Sequence, residues 1–510
     1  MADSAVVQRW RVSGWKQAVL CVVLGALGAL GHPPFDLWFL TVAAFVAVFG
    51  LALRCERNFD WVKTGFWFGF GYFAVALHWI VEPFLVDVAR HGWMAPFALV
   101  MMAAGGAAFW AVAFGVAGWL RRGLGGVVAL AVAMAATEFL RAYVFTGFPW
   151  AMPSYALVNQ MFGQLAAFGG PHGVNLLLFL LAGGLAFGAV RRWRWIWGVA
   201  GAVMLALWVP VPDQVPEARE QTDAAVVVRL VQPNALQHLK WHPEHILTFF
   251  QRSLALTAQV AVEADAAVPD LVVWPETSVP WTLDNAENAL LAVAGAARGA
   301  PVVLGLNRYE GERIFNTVAV VSPEGAVTDV YDKHHLVPFG EYIPFGDFLG
   351  RFGIRGLASQ HGGGYSAGVG PDLIDLGALG KALPLVCYEA VFPQDTRIRG
   401  ERPRMMLHMT NDAWFGNFSG PYQHLAQARM RAIETGVPVL RAANTGISAA
   451  IDAQGRVLAM LPLGEAGFLD VVLPDLGPDT LYARWGDLPM GVFLALLIVA
   501  GAAVRRRETD

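Results

Sequence analysis

Leu271-Val272-Val273-Trp274-Pro275-Glu276-Thr277, written LVVWPET, reads as a buried strand that ends at a Trp-Pro pair and presents a carboxylate just beyond its C-terminal end. Two other stretches share that form. VYDKHHLVPFGEY (330–342) is a strand delivering Lys333, with Glu341 eight residues on, and LVCYEAVF (385–392) is an apolar run delivering Cys387. Strand ends of α/β sheets are where reactive side chains sit, because the sheet fixes the residue while the loop gives it access. Around these stretches strand and helix signals alternate. AAVVVRLVQ (224–232) precedes a helical pattern in HILTFFQRSLALTAQVAVEA, and ENALLAVAGAARG precedes PVVLGLNRY. Glu324-Gly325 and Gln454-Gly455 lie between apolar runs as hairpin turns, which predicts mixed sheets.

Outside this α/β segment the composition changes. The chain of 510 residues is 56% hydrophobic and only 15% charged, against roughly 25% in ordinary soluble domains. Its mean hydropathy is +0.47. A helix needs about 20 apolar residues to cross a bilayer. Such runs lie near 15–31, 36–53, 64–81, 94–119, 126–143, 173–190 and 194–210, and an eighth at 488–504. The first is not followed by a small-residue cleavage site and is read as a retained span. The basic residues fall in alternate loops: Arg9, Arg11 and Lys16; Arg54, Arg57 and Lys63; Arg121 and Arg122; Arg191, Arg192 and Arg194; Arg505, Arg506 and Arg507. The excess of positive charge on the cytoplasmic side then puts both termini in the cytoplasm and residues 211–487 on the far side. The expected organisation is a seven-helix transmembrane domain (1–215), an outer catalytic domain (216–485), and a closing helix with a cytoplasmic tail (486–510). A net charge of -4 gives no basic footprint for nucleic acid.

Of the three cysteines, Cys21 falls in the first span and Cys55 in a cytoplasmic loop, so Cys387 has no disulfide partner in the outer domain. A lone cysteine at a strand end is by itself ordinary core. Glu276 and Lys333 change its meaning. A thiol attacks as the thiolate and needs a base, and a carboxylate in an apolar site, its pKa raised, can take the proton. Attack on an acyl carbonyl creates an oxyanion, which Lys333 and the N–H of Tyr388 can stabilise.

WPE at 274–276, DKxHLVPFGEY at 332–342, Cys-Tyr-Glu at 387–389, TNDAWFG at 410–416 and RAANTGIS at 441–448 together resemble the nitrilase (carbon-nitrogen hydrolase) superfamily. With the eight spans and GFPW at 147–150, the whole chain is similar to its membrane-anchored acyltransferases. That resemblance implies an αββα sandwich in the outer domain beside the polytopic helical domain. It implies Glu276 as general base, Lys333 as stabiliser of the tetrahedral intermediate, Cys387 as nucleophile, and Glu341, Tyr388 and Glu389 as supporting residues. It also implies Trp241, in LKWHP, and Trp150 as substrate contacts. The implied reaction is a ping-pong transfer. An acyl chain passes from a phospholipid, typically phosphatidylethanolamine, through a Cys387 thioester to the N-terminal α-amine of a diacylglyceryl apolipoprotein. That is the last step of lipoprotein maturation, on the periplasmic face of a bacterial inner membrane. No cofactor is implied.

Other features weigh less. Phe345, Phe348 and Phe352, with WFGNF at 414–418, are expected as a lipid-facing lip. His334-His335, His361, His408 and His424 lack zinc-ligand spacing, so no metal is expected. His78 and Glu138 fall in or near spans, where ionisable groups are functional candidates; Glu138 is expected to pair with Arg141. GGPHG (169–173) and HGGGYSAG (361–368) read as loops. Two other functions fit parts of the pattern: a membrane-tethered amidase hydrolysing C–N bonds with the same triad, and a transporter with a binding module, which leaves the triad unexplained.

Overall fold

The computed structural model describes residues 14–191, 201–202, 209, 225–260, 268–344, 364–397 and 400–509. The expected seventh span (194–210) and Phe345, Phe348 and Phe352 lie wholly or mostly outside them.

The N-terminal part is helical: α1 (Gly14–Ala29), α2 (Trp38–Ala52), α3 (Asn58–Ala76), α4 (Ala95–Leu124), α5 (Gly126–Arg141) and α6 (Ala166–Arg191). Among the described residues, three helical stretches are long and apolar enough to cross a membrane: Val88–Leu124, Met161–Val190 and Leu488–Arg507. A fourth is reached if Asn58–Ala76 and His78–Leu85, bent by 62°, form one span. The first two expected spans are shorter helices. Small residues let these helices touch: a Cβ on Gly25 would lie 2.0 Å from the carbonyl oxygen of Phe68, and one on Gly71 2.0 Å from that of Val22. Phe97 and Met101 on α4 stand exposed on the bundle's outside. An apolar exterior over an apolar interior is compatible with a helical membrane domain.

Among the described residues beyond this bundle lie two six-stranded sheets. One runs β12-β1-β2-β3-β4-β5, with β1 (Val227–Gln232), β2 (Leu271–Val273), β3 (Val302–Glu310), β4 (Arg313–Val321), β5 (Val327–Asp332) and β12 (Gly467–Val472). The other runs β11-β10-β9-β8-β7-β6, with β6 (Ile374–Asp375), β7 (Lys381–Val386), β8 (Met405–Thr410), β9 (Val439–Ala443), β10 (Ser448–Ile451) and β11 (Val457–Leu461). Each has a parallel centre, β1-β2-β3 or β7-β8-β9, with antiparallel strands outside it. The mixed sheets and both hairpins therefore match expectation; Gly325 and Gly455 take φ of 86° and 75° at the turns, where a side chain is disfavoured.

Strand alternation sorts the core into layers. Leu271, Val273, Leu407 and Met409 face one another between the sheets. Val272 and Trp274 face α7 (Ile246–Ala258) and α8 (Glu287–Ala297), while Leu383, Leu385 and Met406 face α9 (Gly420–Thr435). The result is helix, sheet, sheet, helix. Because both faces of the central strands are covered, their sequences are continuous apolar runs. The chain closes with α10 (Leu488–Thr509), packed against α4 and α5.

Candidate active site

Glu276, Lys333 and Cys387 each follow directly or closely on the C-terminal end of a strand: β2, β5 and β7. All three are buried. Lys333 Nζ donates to Glu276 Oε1 at 3.2 Å and to Glu341 Oε1 at 2.9 Å, so one ammonium bridges two carboxylates. Asn316, on β4, donates from Nδ2 to Glu276 Oε1 (2.7 Å) and Glu341 Oε1 (3.2 Å). Glu341 Oε2 accepts from the N–H of Val337, which ties the 337–341 loop to the same cluster. Glu276 Oε2 accepts from the N–H of Asn411 at 3.1 Å, so the second sheet also holds it. The backbone around Glu276 is just as constrained. A Cβ on Gly305 of β3 would lie 2.4 Å from the nitrogen of Thr277, so only glycine lets this loop come so close.

The charges are set by this packing. Burial works to raise the Glu276 pKa, but Lys333 and Lys240 outweigh it and leave the carboxyl below its ordinary value. This corrects the raised value expected from an apolar setting: two ammonium groups and the Asn316 amide supply the polarity the sequence did not reveal. Burial also opposes the Lys333 ammonium, yet Glu276 and Glu341 together raise it well above its usual range. Burial, then Glu276, push the Cys387 thiol far up, with Lys333 pulling the other way. The resting arrangement is therefore a carboxylate, an ammonium and a protonated thiol.

Cys387 opens a short 3-10 turn, Cys387–Val391, and has a φ of 50°, unusual for a residue with a side chain. Glu389 explains how the turn is held. Its Oε2 accepts from the N–H of Val386 (2.7 Å), and its Oε1 from the Tyr331 hydroxyl (2.8 Å) and the N–H groups of His334 (2.8 Å) and His335 (3.3 Å). One buried carboxylate thus locks the cysteine turn to the lysine loop. Tyr388 points elsewhere: its hydroxyl donates to the carbonyl of Gly147 at 3.4 Å, in the GFPW loop after α5.

Trp241 is 43% exposed and lines a small cleft with Lys240, Phe249 and Thr277. Trp150 is fully buried. Its Nε1 donates to Gln423 on α9 (2.7 Å), and its ring packs on Trp79, Phe415 and His424. It bridges the helical bundle to the sandwich and presents no open face to a substrate. Glu138 pairs with Arg141 as expected, at 2.6 Å, and also accepts from Trp110 Nε1. Arg141 in turn donates to the carbonyls of Phe148 and Trp150 and so fixes the GFPW loop. His78 approaches the hydroxyl of Ser419, just before α9. In the expected lip Phe418 is exposed, whereas Phe415 is buried against Trp79.

Sequence reading missed Asn316, Asn411 and Lys240. Lys240 Nζ donates to the Glu276 carbonyl (3.2 Å) and Thr277 Oγ1 (3.0 Å), and burial lowers its pKa to about 8 against the pull of Glu276 and Cys387. Its place beside Trp241 in LKWHP was the available signal. Among the described residues two groups bring three metal-type donors together, His242, Glu244 and His245, and His334, His335 and Asp395, neither at the Glu-Lys-Cys cluster itself.

Residues 228–483 match the carbon-nitrogen hydrolase family, the class to which a sandwich with these strand-end residues points. Residues 24–184 match the apolipoprotein N-acyltransferase N-terminal domain. The chain is 36% identical to the apolipoprotein N-acyltransferase of Rhodopseudomonas palustris, over 97% of this chain and 96% of that one. It is also 36% identical to that of Bradyrhizobium diazoefficiens, over 99% and 97%. A crystal structure of an amidase from Nesterenkonia sp. is similar over 52% of this chain and 96% of its own, at 21% identity and a TM-score of 0.37. The chain belongs to the apolipoprotein N-acyltransferase family.

Proposed function

We propose that the protein moves a fatty acyl chain from a phospholipid, such as phosphatidylethanolamine, to the α-amine of the N-terminal S-diacylglyceryl cysteine of apolipoproteins. Glu276 takes the thiol proton as Cys387 Sγ attacks the ester carbonyl. Lys333 and the N–H of Tyr388, which lies in the first turn of a helix where N–H groups lack internal partners, stabilise the oxyanion. Glu276 returns the proton to the leaving alkoxide and lysophospholipid departs. The acceptor amine then attacks the thioester and gives its proton to Glu276, which passes it to the departing Cys387 thiolate, so that the free thiol and the carboxylate are restored. Glu341 and Asn316 hold Lys333 between the carboxylates, Glu389 holds the nucleophile's turn, and Trp241 flanks the mouth. Trp150 acts from behind, as a strut beneath the site.

One observation carries the reading beyond acyl chemistry in general. Cys387, Tyr388, Val391 and Phe392 belong to the same apolar cluster as the bundle helices, so the nucleophile sits where a hydrolase domain meets a lipid-compatible surface. The opposite end of the bundle gathers basic residues: Arg121 donates to the carbonyls of Cys55 and Glu56, and Arg505 to that of Trp119. This supports an inner-membrane orientation with both termini cytoplasmic and the sandwich periplasmic. It is consistent with eight crossings and with domains at 1–215, 216–485 and 486–510.

The test supplies the purified protein with phosphatidylethanolamine and a diacylglyceryl lipopeptide. Expected products are lysophospholipid and an N-acylated peptide in equal amounts. Ammonia release from simple amides, with neither lipid product, would favour the amidase.

A further inference from the structure

Four ionisable side chains that the proposed reaction does not use lie directly behind the nucleophile, all with no exposure: His408, Asp412, His424 and Arg441. Strand register explains why they meet. Leu385 on β7 pairs with His408 on β8, which pairs with Arg441 on β9, so His408 and Arg441 share the face covered by α9. Asp412 follows β8, and His424 lies in the second turn of α9. The contacts form a chain. Arg441 NH2 pairs with Asp412 Oδ2, and Arg441 NH1 lies 2.7 Å from His408 Nδ1. Asp412 Oδ1 lies 2.9 Å from His424 Nδ1 and accepts from Thr410 Oγ1 at 2.8 Å. The other nitrogens of the two rings converge on one atom: His424 Nε2 is 3.0 Å and His408 Nε2 3.3 Å from the carbonyl oxygen of Cys387.

That carbonyl belongs to the residue with a φ of 50°. Non-glycine residues stay in such a conformation only where their surroundings impose it. A fully buried ionic network is a poor stabiliser, since apolar side chains of like volume do as well or better. Its stability value does not account for its place. We infer that His424, supported by His408 and held by Asp412 and Arg441, positions the nucleophile: it grips the Cys387 carbonyl and so aims Sγ toward Glu276 and Lys333. The inference rests on the reading of Cys387 as the nucleophile.

The test compares His424→Leu with His424→Gln in the full chain. A glutamine side chain can still donate to the carbonyl, whereas leucine fills the space and cannot. Three quantities are read: the rate of Cys387 alkylation by iodoacetamide, located by peptide mass spectrometry; the rate of acyl-adduct formation from labelled phosphatidylethanolamine; and Tm. Expected is a loss on the order of 10²-fold in both rates for His424→Leu, the scale of a misplaced reacting group. Recovery of most of that loss is expected in His424→Gln at matched Tm. Should His424→Leu not fold, the same comparison on His408, expected to give a smaller loss, carries the test. Alkylation of the leucine variant at the wild-type rate, or a glutamine variant no better than leucine, would overturn the inference. If the wild-type protein forms no acyl adduct while the alkylation rates keep this order, the acyl-transfer reading fails and the positioning role stands.

Discussion

Glu389 accepts hydrogen bonds from Val386, Tyr331, His334 and His335, so Glu389→Gln places an amide donor against donors that need an acceptor. Leaving buried donors unpaired costs about 1–3 kcal/mol, and the cysteine turn loses its tie to Lys333. Acyl transfer is expected to fall on the order of 10²-fold, measured as lysophospholipid release, with a lower Tm; an unchanged rate would remove Glu389 from the positioning role. Lys240 gives a pH signature. Its pKa falls from 10.5 unfolded to about 8 folded, so between these values the unfolded chain binds a proton that the folded chain does not. Stability linked to this group is therefore lowest below pH 8 and rises as pH climbs toward 10.5. Thermal unfolding of Lys240→Met against wild type across that window checks it: the upward contribution should be missing from the variant. At this scale the placement of Glu276, Lys333 and Cys387 was legible because each stands in a strand-end context. Asn316 and Asn411 were not, because their roles come from cross-strand and cross-sheet placement. Trp150 read as a substrate contact because sequence gives proximity to a motif but not which face is covered.

Elements bring the residues to their places. The Glu276 loop lies so close on β3 that Gly305→Ala must displace it, and a shift near 1 Å is worth about 10²-fold in rate. The expected result is a folded protein with a strongly reduced rate of adduct formation. The GFPW loop hangs from Arg141, whose partner Glu138 has no exposure. Arg141→Leu leaves that carboxylate buried and unpaired, costing about 3–5 kcal/mol, and is expected to lower Tm or prevent accumulation; Glu138→Leu with Arg141→Leu should restore much of the loss. Both hairpin turns were legible from Gly325 and Gly455, and the strands from their apolar runs. Strand order was not, since β12 joins the first sheet from the far end of the chain and periodicity carries no record of that pairing.

For the whole molecule the change in composition told a helical part from the sandwich, but not how the two meet. That contact, with Trp150 on Gln423, His78 at Ser419 and Tyr388 on Gly147, sets Cys387 against the bundle. The central claim is that Cys387 carries an acyl chain drawn from a membrane lipid. The most direct measurement incubates the protein with acyl-labelled phosphatidylethanolamine and looks for a covalent adduct. The account predicts label on Cys387, its release by hydroxylamine, its absence in Cys387→Ser, and its movement to the amine of an added diacylglyceryl lipopeptide. Lipopeptide acylation by Cys387→Ser, or no adduct on Cys387 under conditions of turnover, would contradict it.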